Sequence, residues 1–529
     1  MRPNILFAFA DDWGRYASIY KNIENASPLN NLISTPNIDR IAKEGALFTN
    51  ALVPAPTCTP CRSSVLSGRY FWQTRLGAIL QGAVWDENIP SYPRILENAG
   101  YHTGATYKVW GPGVCVDTTP YGDESHYYQK LGASFGGFSF VVNKKVNEGK
   151  SIDQSKEVLY DEVRNNFNSF MEDRKKDQPF CYWWGPTNTH REWQKGSGKR
   201  FWDIEPNDLK GLMPKNFPDV HDVREDVADY LGECQAFDRG LGVLIKELEE
   251  SGELDNTLIV VSGDHGIPGF PMAKANLYGV GCEVSLMARL PEEIKAGLVI
   301  NDMTNLMDLA PTFLEASGCE IEATMSGKSL WPRLTGKSGH KEDDWVITGR
   351  ERHVGNARDK NLPYPHRAIR TQDYLYIYNF HPERWPMGDP KGMDDLNAPA
   401  IEWDKIENDT RTVYPDIDAG PTKAWMIHNR NQAEHTDNFQ RGFGKRPHCE
   451  LFDLKKDRDQ LHNVANDSNY NEIKNRLHDL LMSELKKQKD PRVCEGNCRY
   501  ESSPYTDVLS HSGKDAEEVK VERLSRAGD

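Results

Sequence analysis

Several reactive side chains in this 529-residue chain sit at spacings that could do chemistry. The stretch Thr57-Cys58-Thr59-Pro60-Cys61-Arg62-Ser63-Ser64-Val65-Leu66-Ser67-Gly68-Arg69 is the densest. Pro54, Pro56 and Pro60 keep the approach out of helix, because proline fixes φ and lacks an N–H. Val65 and Leu66 continue as helix, and Gly68 is a C-terminal stop. A helix start offers free N–H groups and a positive dipole end, which favours anions and is expected to depress the Cys58 thiol pKa. Cys58 therefore sits where a nucleophile is useful, with Arg62 close by. On spacing alone, a buried cysteine or a Cys58–Cys61 redox pair is the commoner reading. Asp11-Asp12 and Asp264-His265 each close an apolar run of strand length. Adjacent carboxylates are hard donors suited to Ca2+ or Mg2+; taken alone, such a pair is more often a turn cap. Lys108 and His190 follow two further strand-like stretches, whereas Lys274 by itself reads as a surface lysine.

The elements that must position these groups are legible in the same pattern. Pro3–Ala10, 179–185 and 257–262 are continuous apolar runs, as expected for strands buried on both faces of a parallel sheet. Groups at the C-terminal ends of such strands fall where open α/β sheets place their ligands. Thr35–Gly45 reads as a helix with proline near its start and Ile38, Ile41 and Ala42 on one face. Residues 157–175 and 227–248 have helical period. From about residue 335 the pattern changes to an alternating meander, 345–353, 364–371 and 374–378, then a strand at 450–454 and a helix at 469–487.

Composition narrows the class. A hydrophobic content of 38% with thirteen tryptophans suits a globular enzyme. A net charge of -15 argues against nonspecific binding to nucleic acid or anionic membrane, so an anionic substrate would need a local basic pocket. No run of 18 apolar residues is present, so no transmembrane span is expected. Ten cysteines form neither a dense disulfide framework nor a zinc pattern. For Cys494 and Cys498 a local disulfide and two free thiols are equally compatible with the spacing.

Cys58-x-Pro60-x-Arg62 followed by Leu66-Ser67-Gly68-Arg69 resembles the signature of the type I sulfatases, within the alkaline phosphatase superfamily. The resemblance covers nearly the whole chain, most strongly 3–111 and 255–335. It implies that Cys58 is oxidised by a maturation enzyme to Cα-formylglycine, whose hydrate attacks sulfur. It also implies that Asp11, Asp12, Asp264 and His265, with the matured Cys58, hold Ca2+, with Mg2+ as the alternative; histidine in the last position is a known variant. Arg62, Lys108 and Lys274 would neutralise the sulfuryl oxygens, and His190 or Lys274 would protonate the leaving oxygen. The chain departs from the pattern at Cys61, usually Ser or Ala, and at Trp110, where relatives carry a histidine thought to help expel sulfate. Indole only donates, so Trp110 is no base; either another group or water expels sulfate, or that step is slow, and Trp110 is equally expected to wall the substrate pocket.

The resemblance implies an α/β fold: a large catalytic domain (1–335) with a mainly parallel mixed sheet between helices. A smaller α+β domain (336–500) with an antiparallel sheet and a polar tail (501–529) follow. Its Arg350-Glu351-Arg352-His353 cluster and the segment around Arg367 look like the sulfamidase and polysaccharide sulfatase branches, which makes His353 and Arg367 candidate substrate contacts. Arginine forks and aromatic rings suit a sulfated oligo- or polysaccharide. The expected activity is sulfate-ester hydrolysis, with a sulfamidase, a phosphate or phosphonate hydrolase, and an inactive glycan binder as rivals. Glycan sulfatases are commonly exported, so a periplasmic or secreted location is expected, with the leader outside this sequence.

Overall fold

The computed structural model describes residues 2–24, 26–115, 118–337 and 344–502; most of the expected tail lies outside the described residues. A seven-stranded sheet forms the centre: β1 (Asn4–Ala10), β2 (Ala46–Phe48), β3 (His102–Tyr107), β4 (Phe180–Gly185), β5 (Thr257–Gly263), β6 (Leu286–Arg289) and β7 (Leu298–Ile300). Its order is β7-β2-β6-β5-β1-β4-β3. The neighbours β5, β1, β4 and β3 all run parallel. Strand β6 is antiparallel to both β5 and β2, and β7 is parallel to β2.

Every residue of β1, β4 and β5 is buried, which is why these strands read as unbroken apolar runs. The alternation of side chains splits them between two cores. Ile5, Phe7, Phe9, Cys181 and Trp183 face the layer containing helix α2 (Cys58–Ser67). Leu6, Ala8, Ala10, Tyr182 and Trp184 face the layer containing α1 (Pro36–Glu44), α3 (Ile152–Asp173) and α4 (His221–Glu250). Helix α3 starts about five residues before its apolar period suggests, because Ser151 and Gln154 form a capping box.

The second sheet is an antiparallel meander of β8 (Trp345–Arg350), β9 (His366–Thr371), β10 (Tyr374–Asn379) and β11 (Cys449–Asp453). Helix α5 (Asn471–Lys487) covers it with Leu477, Leu481 and Leu485. The long connection from β10 to β11 folds as short helices, and its Ile406, Tyr414, Ile417 and Phe443 join the core beneath α4. All ten cysteines are free thiols, Cys494 and Cys498 included. Among the described residues no helix is long and apolar enough to cross a membrane.

Candidate active site

Four adjacent parallel strands deliver reactive groups to one edge of the large sheet. Ala10 pairs with Gly263, so Asp11-Asp12 and Asp264-His265 leave the sheet side by side. Tyr107 pairs with Gly185, which brings Lys108 and the loop carrying His190 to the same edge. The turns are tight: a Cβ on Gly263 would lie 2.0 Å from the Trp13 carbonyl oxygen, and one on Gly266 only 1.8 Å from that of Val280. Asp12 adopts the left-handed region (φ 59°), uncommon outside glycine, and its N–H donates to Asp264 Oδ1 at 2.8 Å.

Helix α2 points its first turn at this edge. It begins at Cys58 and ends on Gly68 in the left-handed region (φ 65°). Cys58 Sγ lies 3.3 Å from His265 Nε2 and 3.9 Å from Asp12 Oδ1. His265 Nε2 is also 3.2 Å from Asp12 Oδ1 and 3.5 Å from Asp264 Oδ1. One turn on, the buried Arg62 donates through Nε to Asp264 Oδ2 (2.8 Å), through Nη2 to Asp11 Oδ1 (3.1 Å) and through Nη1 to the Lys108 and Val109 carbonyls. Lys108 Nζ donates to both Asp11 oxygens at 2.7 Å, and Lys274 Nζ to Asp12 Oδ2 at 2.8 Å. His190 sits at the rim, 34% exposed, with Nε2 3.9 Å from Asp12 Oδ2.

Three buried carboxylates thus meet two buried cations, Arg62 and Lys274, and the partly exposed Lys108. Burial favours the neutral acid, but Lys108 and Arg62 outweigh it at Asp11 and hold that carboxyl well below its usual range. Burial raises Asp12 to about 7; Lys274 and His265 oppose the rise, and the Asp11 and Asp264 carboxylates add to it. The expectation of a depressed Cys58 thiol is corrected: burial, reinforced by the Asp11 carboxylate, pushes it far up. The helix dipole does not offset enclosure among carboxylates, so Cys58 as a thiol is a poor nucleophile.

The donor set fits a divalent cation. Ligand atoms of Asp12, Cys58 and His265 lie within 4.8 Å of one another, as do those of Asp11, Cys58 and Asp264. Carboxylate oxygens with one imidazole match a hard cation such as Ca2+ or Mg2+, the histidine softening an otherwise all-oxygen set.

The remaining candidates separate. His353 reaches the site's edge, with Nδ1 2.8 Å from the hydroxyl of Thr57, the residue before α2; burial lowers its pKa to about 3. Trp110 Nε1–H donates to Ser63 Oγ of α2 at 2.8 Å, and its ring packs edge-on to Trp85. Arg367 as a substrate contact is corrected. It is fully buried in the second sheet, donating to Asp490, Glu351 and the carbonyls of Arg350 and His366. Those bonds occupy its whole fork. Sequence reasoning missed Asp416 and Asp418, carried by the β10–β11 connection. Asp416 accepts from Val354 N–H and Arg358, and Asp418 Oδ2 lies 3.4 Å from Lys274 Nζ. Neither stands next to a recognisable pattern; the pair Asp-x-Asp in Tyr414-Pro415-Asp416-Ile417-Asp418 was the available signal.

The sulfatase family profile matches residues 3–319, more than half of the chain. The chain belongs to the sulfatase family. A second profile, the N-sulphoglucosamine sulphohydrolase C-terminal region, matches 263–409, so Asp416 and Asp418 lie beyond both matches. Among curated relatives, an N-acetylglucosamine-6-O-sulfatase of Bacteroides thetaiotaomicron is 26% identical, covering 75% of this chain and 82% of its own length. Human N-sulphoglucosamine sulphohydrolase is 25% identical, covering 93% and 92%. A structure solved in complex with its substrate D-glucosamine-2-N,6-O-disulfate superposes with a TM-score of 0.57 at 20% identity, covering 94% of this chain and all of that one. This sulfatase therefore shares both the large sheet and the smaller antiparallel sheet with solved relatives of its fold.

Proposed function

We propose that this sulfatase hydrolyses a sulfate ester on a sulfated carbohydrate, using Cys58 in its formylglycine form as the nucleophile's source. The observation that carries the reading is Cys58 at the start of α2, within 3.9 Å of Asp12 and His265, in a site where Arg62, Lys108 and Lys274 converge. Once formed, the aldehyde hydrate supplies the attacking oxygen. Asp11, Asp12, Asp264 and His265 would hold a divalent cation, whose charge would make this oxygen more acidic.

The chain's own residues do the rest. Asp264, held by Arg62 and with a carboxylate oxygen within 4.8 Å of Cys58 Sγ, would take a proton from position 58. Lys108 and Lys274 compensate charge on the sulfuryl oxygens as the S–O bond breaks. His190 Nε2 faces Asp12 from the rim and can protonate the leaving oxygen, as can Lys274. Trp110 braces α2 and shapes the wall beside it. A glycan polymer as substrate suits a periplasmic or secreted enzyme.

A second reading, sulfamidase action on an N-sulfated glucosamine, is favoured by the match of 263–409 to the sulphohydrolase C-terminal region. Ion chromatography of sulfate released from glucosamine 6-sulfate and from N-sulfoglucosamine tests both. Release from the ester alone supports the first reading, release from the sulfamate alone the second, and release from neither, nor from longer sulfated glycans, refutes both.

A further inference from the structure

Asp418 is an anomaly in a site for an anionic substrate. It comes from the β10–β11 connection, outside both family matches, yet it reaches the catalytic edge. Among the described residues no hydrogen bond reaches the buried Asp418 Oδ2, which is ion-paired with Lys274 Nζ at 3.4 Å, and 18% of the side chain stays exposed. Buried carboxylate oxygens normally accept a hydrogen bond as well as facing a cation, so this one, beside a reaction centre, has room for a donor from the ligand. The placement is rigid. Asp416 N–H donates to Met387 O, the Asp416 side chain is held by Val354 and Arg358, and Lys423 Nζ donates to the Ile417 carbonyl. Thr422, just beyond, donates to Asp226, which Arg191 grips with both terminal nitrogens.

We propose that Asp418 is a specificity-determining residue that accepts a hydrogen bond from a hydroxyl group on the sugar carbon next to the sulfated one. A carboxylate there repels the sulfate itself, so it must face the uncharged part of the substrate. Lys274 bridges Asp12 and Asp418, which sets the Asp418 carboxylate beside the group expected to contact the scissile oxygen. A donor on the neighbouring carbon reaches it. An aryl sulfate, with no donor at that place, leaves the oxygen unsatisfied. The inference rests on the sulfatase reading above and adds a selection rule to it.

The test compares kcat/KM of the matured, metal-loaded wild type, Asp418→Asn and Asp418→Ala. The substrates are p-nitrophenyl sulfate, a sulfated monosaccharide that the wild type hydrolyses, and its analogue deoxygenated at the neighbouring carbon. In Asp418→Ala the sugar-to-aryl ratio should fall by about tenfold or more, the scale set by losing a charge-assisted hydrogen bond. Asp418→Asn, which keeps a carbonyl acceptor, should fall less. The deoxy sugar should be poor with wild type and suffer little further loss in Asp418→Ala, the non-additivity expected of contacting groups. Equal losses on sugar and aryl sulfates would overturn the proposal and leave Asp418 as a support for Lys274. Wild-type turnover of aryl sulfate with no sugar sulfate hydrolysed would also overturn it while the sulfatase chemistry stands. Turnover of neither would overturn both.

Discussion

Arg62→Ala should damage stability and create a calcium dependence at once. The guanidinium is fully buried and joins Asp264, Asp11 and two carbonyls of the Lys108 turn. Removing one partner of a buried ion pair costs ~3–5 kcal/mol, because the other charge is left without compensation. Here Asp264 loses its cation and Asp11 keeps only Lys108, so three acids then face two cations. A unit charge about 4 Å away is worth ~4 kcal/mol at an effective dielectric near 20. A divalent cation should therefore stabilise the variant more than the wild type. Arg62→Lys keeps the charge but loses the fork, so its loss should be smaller. Thermal unfolding of the three proteins, with chelator and with millimolar calcium, reads both effects. The expected order of midpoints in chelator is wild type, Arg62→Lys, Arg62→Ala, with the largest calcium shift in Arg62→Ala. A variant that unfolds at the wild-type midpoint and shows no enhanced calcium shift would refute the reasoning.

Asp12→Ala should abolish metal binding and sulfate release together; elemental analysis showing full metal occupancy in that variant would contradict the shared site. Arg367→Ala, which bares Asp490 and leaves Glu351 to Arg492 alone, should lower stability by ~3–5 kcal/mol while leaving KM for the sulfated sugar unchanged, as measured by unfolding and steady-state kinetics. Trp110→His should lower the unfolding midpoint without accelerating turnover, because the indole serves Ser63 and Trp85; a faster steady-state rate would show that the family imidazole is missed. His353, held neutral to about pH 3 by burial, has a folded pKa below its unfolded value. Its contribution is full above about pH 6.5 and is lost as pH falls toward 3. His353→Asn should therefore flatten the acid limb of the stability–pH profile.

Much of the fold was readable because β1, β4 and β5 are buried on both faces, which makes each an uninterrupted apolar run with its reactive residues at the exit. The convergence of Asp11, Asp12, Asp264, His265 and Lys108 followed from parallel strand order. Three features were not readable. The Cys58 thiol depends on what encloses it, and burial together with the Asp11 and Asp264 carboxylates outweighs the helix start. Arg367 in the sequence looks like any arginine on a strand; that Asp490 waits for it 123 residues later is a long-range fact. Asp418 depends on the β10–β11 connection folding back onto the layer beneath α4, which no local period announces.

The central claim is that Cys58, once converted, drives sulfate release. The direct measurement is intact mass of the Cys58 peptide alongside ion chromatography of sulfate, for protein expressed with and without a formylglycine-generating enzyme. The account predicts that sulfate release from a sulfated glycan rises in proportion to the fraction carrying the aldehyde and vanishes in Cys58→Ala. Equal release by protein whose Cys58 remains a thiol would contradict it.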